Sequence, residues 1–397
     1  VSQPALKNLD VAAAPYDAAP CAMARISRLA LTDFRSYAGA DVALDGRPVV
    51  ITGANGAGKT NFLEALSLIG PGRGLRGARL EELPRIGGPG GWAVFARFFD
   101  GPNEWRFGVG ADPKNSRRRV CRIDEAPALG PSAFAAHFRC LWLTPAMDRL
   151  FMDGAAERRR FLDRMTLAHD AAHAGGAAAY EQAMRQRQRL LDEGGGDRAW
   201  LDALERQMAQ SGVAIAAARR QTVMRLAAFD VAAETSVFPA ATLEIDGVLE
   251  NALAEQDAVD AEAAFRSQLG ARRRLDAEAG RALAGPHRSD LLVAHRDKGQ
   301  PARLCSTGEQ KALLIGLVLS NARALANRPG GAPLILLLDE VAAHLDADRR
   351  AALLSILGAL GFQTFMTGTD RALFQAWDDC AQHFKARGGA LFEQPSN

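Results

Sequence analysis

Apolar residues recur along this chain with two periods, and the change from one to the other divides it. Val1 to Ala24 is rich in Ala and Pro and carries neither period, so structure is expected to begin near Met23. Arg25 to Leu31 (RISRLAL) and Ala40 to Leu44 then read as strands, and Pro48 to Thr52 (PVVIT) as a short buried strand that runs into glycines. A helix is predicted from Lys59 to Leu68. Beyond the Gly-rich link Gly70 to Gly77 come Trp92 to Phe99, Trp105 to Val109 and Arg118 to Ile123, separated by Gly, Pro, Asn and Asp. That spacing predicts an antiparallel side sheet, and Arg139 to Leu143 (RCLWL) reads as a further core strand.

From Ala155 to Phe229 the period lengthens. Leu201, Leu204, Met208, Ile215, Ala218 and Leu226 follow a three-four spacing that predicts a long amphipathic helix, with Gly194 to Gly196 breaking it from the one before. The expected result is an antiparallel hairpin or small bundle. Residues 230 to 264 hold nine Asp or Glu and no Lys or Arg, which reads as a solvated face that DNA would repel, with a partner-protein surface as the alternative. Strand and helix alternation returns from Asp290, including Pro333 to Leu338, a helix at Ala347 to Leu360 and a strand at Phe362 to Met366. The pattern thus divides the chain into an extension (1–24), a first α/β segment (25–154), a helical insertion (155–284) and a second α/β segment (285–397).

Composition changes this picture little. The chain is 48% hydrophobic and 24% charged, ordinary for a globular protein, and no apolar run approaches the roughly 20 residues of a membrane span. Residues 1–24 lack the basic start and apolar centre of an export signal, so a cytoplasmic address is the expectation. Five scattered cysteines without a CxxC pair argue against a disulfide frame or a zinc knuckle. Net charge is only +2, although 42 of the 48 cations are Arg.

Chemistry is concentrated in two places. Gly53-Ala54-Asn55-Gly56-Ala57-Gly58-Lys59-Thr60 is a complete G-x-x-x-x-G-K-[ST] loop that opens a helix after a strand, and Asn61 extends the same set. Its glycines let the backbone aim successive N–H groups at phosphate, Lys59 reaches the β and γ oxygens of ATP, and the Thr60 hydroxyl ligates Mg²⁺. The second place is Leu334-Ile335-Leu336-Leu337-Leu338-Asp339-Glu340. Asp339 is placed to bind Mg²⁺ through water and Glu340 to polarise an attacking water, which favours hydrolysis over phosphoryl transfer to a metabolite.

The order P-loop, side sheet, helical insertion, Ser306-Thr307-Gly308-Glu309-Gln310-Lys311, LILLLDE and Leu345-Asp346 resembles an ABC-type ATPase head of the SMC group. Leu29-Ala30-Leu31-Thr32-Asp33-Phe34-Arg35-Ser36-Tyr37, Arg158-Arg159-Arg160-Phe161-Leu162-Asp163 after Leu143-Thr144-Pro145, and Gly285-Pro286-His287-Arg288 resemble the RecF recombination-mediator family over most of residues 25–395. The resemblance implies an α/β fold, an ABC-type P-loop ATPase head with an antiparallel β side sheet and an inserted helical arm lobe. It implies a family start at Met23, an ATP-dependent homodimer in which Ser306 and Gly308 of one head cover the γ-phosphate of the other, and slow, DNA-dependent ATP hydrolysis. It further implies a clamp on duplex DNA at gaps or stalled forks that helps mediator proteins load the recombinase.

Departures from the pattern matter as well. Glu309 stands where transporters carry Gln, and Ser306-x-x-Glu309 is also a capping box. No switch histidine follows the last core strand, leaving Thr367 or Thr369 as γ-phosphate contacts. Ser289 precedes Asp290 where relatives carry two acids, and His287 and Arg288 could act or merely brace. The loop at Thr144 and Pro145, expected to sense nucleotide, lacks its usual glutamine. Candidate DNA-phosphate contacts are Arg35, Arg73, Arg76, Arg117 to Arg119, Arg158, Arg159, Arg160, Arg185, Arg187 and Arg189. Alternative readings are the nucleotide-binding subunit of an ABC transporter, a small-metabolite kinase and an ATP-binding scaffold without turnover.

Overall fold

Eleven residues of mixed burial, Ala24–Phe34, form strand β1, which turns back through Arg35 and Ser36 into β2 (Tyr37–Ala43) with Leu31 opposite Ala40. In the computed structural model, residues 24–113, 115–194, 197–233, 237–328 and 332–395 are described. The expected extension, Ala24 apart, lies outside them. Next come β3 (Val49–Thr52), buried at every residue, and α1 (Lys59–Ile69). β4 (Ala93–Asp100), β5 (Asn103–Asp112), β6 (Asn115–Ile123) and β7 (Ala126–Ala128) follow by antiparallel hairpins, and β8 (Arg139–Leu143) completes the first segment. The side sheet has the order β2-β1-β4-β5-β6-β7, so the three predicted strands are half of a larger sheet.

The helical segment holds α2 (Ala155–His169), α3 (His173–Asp192) and the 31-residue α4 (Arg198–Ala228), then β9 (Ala241–Asp246), α5 (Val248–Glu255), α6 (Ala258–Ala271) and α7 (Arg273–Ala279). Leu204, Met208 and Val213 of α4 pack with Tyr180 of α3, Leu249 of α5 and Phe265 of α6 in a separate small core, the expected bundle. Gly194, in the left-handed region at φ 94°, ends the helical hairpin's first arm. Two features cross the division read from the sequence. Phe161, Leu162 and Met165 of α2 belong to the core of the α/β head, and β9 pairs with β10 (Asp290–His295), Ile245 opposite Leu291. Within the acidic stretch, Glu244, Asp246, Asp257 and Asp260 are exposed as expected, but Glu250 is buried.

β11 (Gln300–Pro301) extends that small sheet; then come α8 (Thr307–Ala326), β12 (Leu334–Leu338), α9 (Ala347–Leu360), β13 (Gln363–Gly368), β14 (Gln382–Arg387) and β15 (Ala390–Gln394). The core sheet has the order β15-β14-β3-β13-β12-β8, parallel except at β15. Both its faces are covered, as a parallel sheet requires. On β12, Ile335 and Leu337 face α1 and the side sheet, while Leu334, Leu336 and Leu338 face the core that holds α2, α8 and α9. One strand, β13, separates β3 from β12, and this brings the P-loop beside Asp339 across 280 residues of chain.

Among the described residues no helix is long and apolar enough to cross a membrane and no cluster of acidic, His and Cys side chains could hold a metal alone. Cys121, Cys140 and Cys305 are buried free thiols and Cys380 is a half-buried one.

Candidate nucleotide site

The P-loop leaves β3 at Gly53, whose φ of 151° a side chain would rarely adopt and where a Cβ would come within 2.5 Å of the Ala386 carbonyl. Gly58, at φ 104°, lies against Ser36 and Tyr37, and a Cβ there would meet the Ser36 hydroxyl at 2.8 Å. The Tyr37 hydroxyl donates to the Gly58 carbonyl at 3.0 Å, and burial pushes its pKa up, keeping it a donor. α1 therefore begins without a side-chain cap, and its first amides are left for a ligand. Lys59 is 3% exposed; its Nζ donates to the Gly53 carbonyl at 2.7 Å and the Ala54 carbonyl at 3.1 Å, and stands 3.6 Å from Glu340 Oε1. Ala54, Asn55 and Gly56 are exposed at the loop's tip. Asn61 turns sideways, donating to Ser36 Oγ at 2.9 Å and accepting from Arg76 at 2.8 Å.

Asp339 follows the last residue of β12, its amide bound to the Leu143 carbonyl of β8. Thr60 Oγ1 donates to its carboxylate, 3.0 and 2.9 Å from the two oxygens, and Thr367 Oγ1 donates to Oδ1 at 2.7 Å. The Glu340 amide in turn donates to Thr367 Oγ1 at 2.9 Å. Thr367 is thus a fully buried brace from the intervening strand β13 rather than an exposed phosphate contact, whereas Thr369 is exposed beyond the strand end. Burial raises the Asp339 pKa; the Thr367 and Thr60 hydrogen bonds oppose the rise and Glu340 adds to it. A hydroxyl and a carboxylate side by side are an oxygen donor set that suits Mg²⁺. Glu340 has φ 52°, a left-handed conformation that costs an ordinary residue free energy and is found at functional sites.

Thr60, Asp339 and Glu340 form one wall of a cleft of about 720 Å³, whose other walls are the Arg73–Gly77 link, the Thr144–Met147 loop, Asp153 and the Glu157, Arg160 and Arg164 side of α2. The segment Ser306–Gly308 does not line it. Instead these residues are exposed at the start of α8, where Ser306 accepts from the Glu309 amide at 3.4 Å and Glu309 accepts from the Ser306 amide at 3.0 Å. The capping box read from the sequence is therefore present. An ion pair with Lys298, together with the Ser306 hydrogen bonds, lowers the Glu309 pKa to about 2. Asp346 caps α9, accepting from the Arg349 amide at 2.8 Å.

The candidate DNA contacts divide by what they already hold. Arg35 and Arg76 both bind the buried Glu64 of α1, Arg35 through Nε and Nη2 at 2.9 and 2.7 Å, Arg76 through Nη1 at 2.6 Å. Arg158 makes a two-pronged pair with Asp290, both bonds 2.7 Å, and Arg159 donates to the Ser289 carbonyl. Arg119 donates to the Leu68 and Gly72 carbonyls, Arg160 pairs with Glu157 and Arg185 with Glu181. Arg187 is a correction: at 1% exposure, bound to Glu205, Asp276 and the Leu269 carbonyl, it is an internal tie of the helical lobe and cannot reach DNA. Arg73, Arg118 and Arg189 are exposed; the Arg117 side chain lies outside the described residues.

His287 bridges the Tyr180 hydroxyl and the Ala282 carbonyl at 2.9 and 3.0 Å, and burial lowers its pKa, so it braces the lobe. Ser289 donates to the buried Glu250 at 2.8 Å, which also holds Arg219. Glu64, Tyr37 and Thr367 are the site residues that motif reading did not assign to these roles. The detectable signal was Glu64, an acid on the apolar helix that follows the P-loop.

A family model described as "AAA domain, putative AbiEii toxin, Type IV TA system" matches residues 49–127, from the P-loop strand through the side sheet. The fold matches a solved structure of the recombination mediator protein RecF-ATPrS in the RecFOR pathway, with a TM-score of 0.80 at 22% identity, covering 94% of this chain and 98% of that one. The Smc head domain from Pyrococcus furiosus matches with a TM-score of 0.52 at 15% identity over 94% of this chain and 96% of that one. The fold is that of an ABC-type P-loop ATPase head. In sequence, the DNA replication and repair protein RecF of Rhizobium johnstonii is 49% identical over 93% of this chain and 98% of its own, and that of Mesorhizobium japonicum 52% over 93% and 98%. With a P-loop and an acid pair on this head, a capped helix beginning at Ser306, and relatives this similar along nearly the whole length, the chain belongs to the RecF family of DNA replication and repair proteins.

Proposed function

We propose that the chain is an ATP- and Mg²⁺-dependent repair ATPase whose two copies pair around nucleotide and close on duplex DNA. The observation that carries this is the convergence of Lys59, Thr60, Asp339, Thr367 and Glu340 at the carboxyl ends of three adjacent strands. ATP phosphates would lie against the loop and the start of α1, which has no side-chain cap, and draw Lys59 from the Gly53 and Ala54 carbonyls onto the β and γ oxygens. Mg²⁺, held by Thr60 and Asp339, would neutralise triphosphate charge. Glu340 accepts the proton of the attacking water, its direction set by the strained backbone and by Thr367.

One head leaves the terminal phosphate side of the cleft without the Ser306–Gly308 helix start, which is exposed elsewhere on the same chain. A second copy would supply it, each helix tip covering the other's nucleotide. Relatives named for DNA replication and repair, and a neighbour described in the RecFOR pathway, support the cellular reading. On it, the paired heads clamp duplex DNA at gaps or stalled forks, help partner mediators load the recombinase, and open by slow hydrolysis. Sedimentation with saturating ATP, and hydrolysis measured with and without gapped duplex at two salt concentrations, test this. Pairing on ATP, its loss in Lys59→Ala and its persistence in Glu340→Gln are expected; a monomer under all conditions refutes the mechanism.

A further inference from the structure

Of the four arginines that line the cleft, Arg164 is held differently from the rest. Arg164, on α2, lines the same cleft as Thr60, Asp339 and Glu340. Its guanidinium lies over the Trp142 ring at 4.9 Å, with the Phe161 ring at 5.7 Å, and among the described residues makes one polar contact, donating to the Met147 thioether at 3.4 Å. A thioether is a weak acceptor. Burial lowers the Arg164 pKa to about 10, opposed only by the Cys140 thiol; among the described residues no carboxylate pairs with it. The Trp142 indole Nε1 is a buried donor without a partner, in a side chain 8% exposed.

The neighbouring cations differ. Arg76 is bound by Glu64 and Asn61, Arg160 by Glu157, and Arg73 is bathed by solvent. Arg164 is half-buried, and withdrawing a guanidinium even partly from water without a counterion costs free energy that stacking on aromatic rings recovers only in part. A planar fork fixed on one face by a ring and open toward a cleft matches the paired oxygens of a phosphate.

We propose that Arg164 is a ligand for a phosphate oxyanion held in this cleft. The terminal phosphate of a nucleoside triphosphate is the favoured source, because the cleft is shared with Thr60 and Asp339; for that source the inference rests on the nucleotide reading above. A phosphate of a nucleic-acid backbone entering the cleft mouth offers the same chemistry.

The test uses the full chain with Arg164→Met, which keeps length and an apolar surface over Trp142, and Arg164→Lys, which keeps charge without the fork. Affinities for a fluorescent ATP analogue, the matching ADP analogue and gapped duplex DNA at two salt concentrations are read, with the melting temperature of each unliganded variant. Arg164→Met is expected to weaken ATP binding roughly 10- to 100-fold with little change for ADP, and Arg164→Lys to fall between. A loss confined to duplex binding would assign the residue to the nucleic-acid backbone and also support the proposal. ATP, ADP and duplex affinities unchanged in the folded variants would overturn it. If Arg164→Met does not fold, Arg164→Lys alone decides by the same readings. A wild-type chain that binds no ATP refutes the nucleotide reading instead, and the duplex measurements then decide the role of Arg164.

Discussion

Arg187, fully buried in the helical lobe, and Arg164, half-buried beside the cleft, are both drawn at least partly away from water, yet their surroundings treat them in opposite ways. Arg187 spends Nε on Glu205, Nη1 on Asp276 and Nη2 on the Leu269 carbonyl, at 2.9, 2.7 and 2.8 Å. Arg164 meets two rings and a sulfur. The Arg187 cluster is electrostatically closed, whereas the cleft keeps donors open and holds Glu340 on its wall in a left-handed conformation. Burial of a charge does not by itself mark function. What marks it is a charge partly withdrawn from water whose compensation has to come from outside the chain.

The largest effect expected from this contrast is on Arg187. Arg187→Met strands Asp276 and half of Glu205 in the lobe core and should lower unfolding stability in urea by about 3–5 kcal/mol, leaving the folded fraction's nucleotide affinity intact. An unchanged midpoint would break the comparison on the lobe side. Lys59→Ala should do the reverse: ATP affinity falls about 100-fold or more, while stability, resting on two carbonyl contacts and a 3.6 Å approach to Glu340, moves by only ~1 kcal/mol. Calorimetric titration and urea unfolding of the same sample separate the two.

Thr367→Val is intermediate, because it removes a hydroxyl that serves Asp339 and the Glu340 amide together. A loss of about 1–3 kcal/mol in stability is expected, with hydrolysis falling more than ATP binding. Equal losses in both would mean that Thr367 shapes the whole loop.

The smallest effect is in pH dependence and has opposite signs in the two regions. Burial alone would raise the Asp163 pKa, but hydrogen bonds from His173 and Arg219 hold it below its ordinary 3.8. Its contribution is therefore present above that value and lost as pH falls through the lowered one. Asp339 is raised, so its contribution is present below 3.8 and lost as pH rises through the raised value. In unfolding measurements without ligand, Asp163→Asn should flatten the acid limb, and Asp339→Asn should gain stability at neutral pH. Matching signs from the two variants would refute the contrast.

Much of the site was legible before folding was considered. The P-loop, LILLLDE and the Ser306–Glu309 cap are contiguous, and each depends on the conformation of a few neighbouring residues. The helix at Ala347–Leu360 was bounded correctly because Asp346 and Gly361 cap it locally. β14 and β15 were missed, since Gln382–Arg387 mixes polar and apolar residues and becomes a core strand only by pairing with β3. Charges misled for the same reason. A row of arginines on α3 reads as a basic face until Asp276, 89 residues on, is found against Arg187.

By itself the sequence determined the glycine loop between a strand and a helix, the acids at the end of an apolar strand, the run of long helices and the family, because glycine spacing, periodicity and capping act over a few residues. Tertiary structure alone decided which charges are neutralised. Glu64 gathers Arg35 and Arg76, Thr367 from an intervening strand aligns Asp339 with Glu340, and Arg164 is left on aromatic rings. Ion pairing and desolvation depend on neighbours that only the folded sheet order brings together.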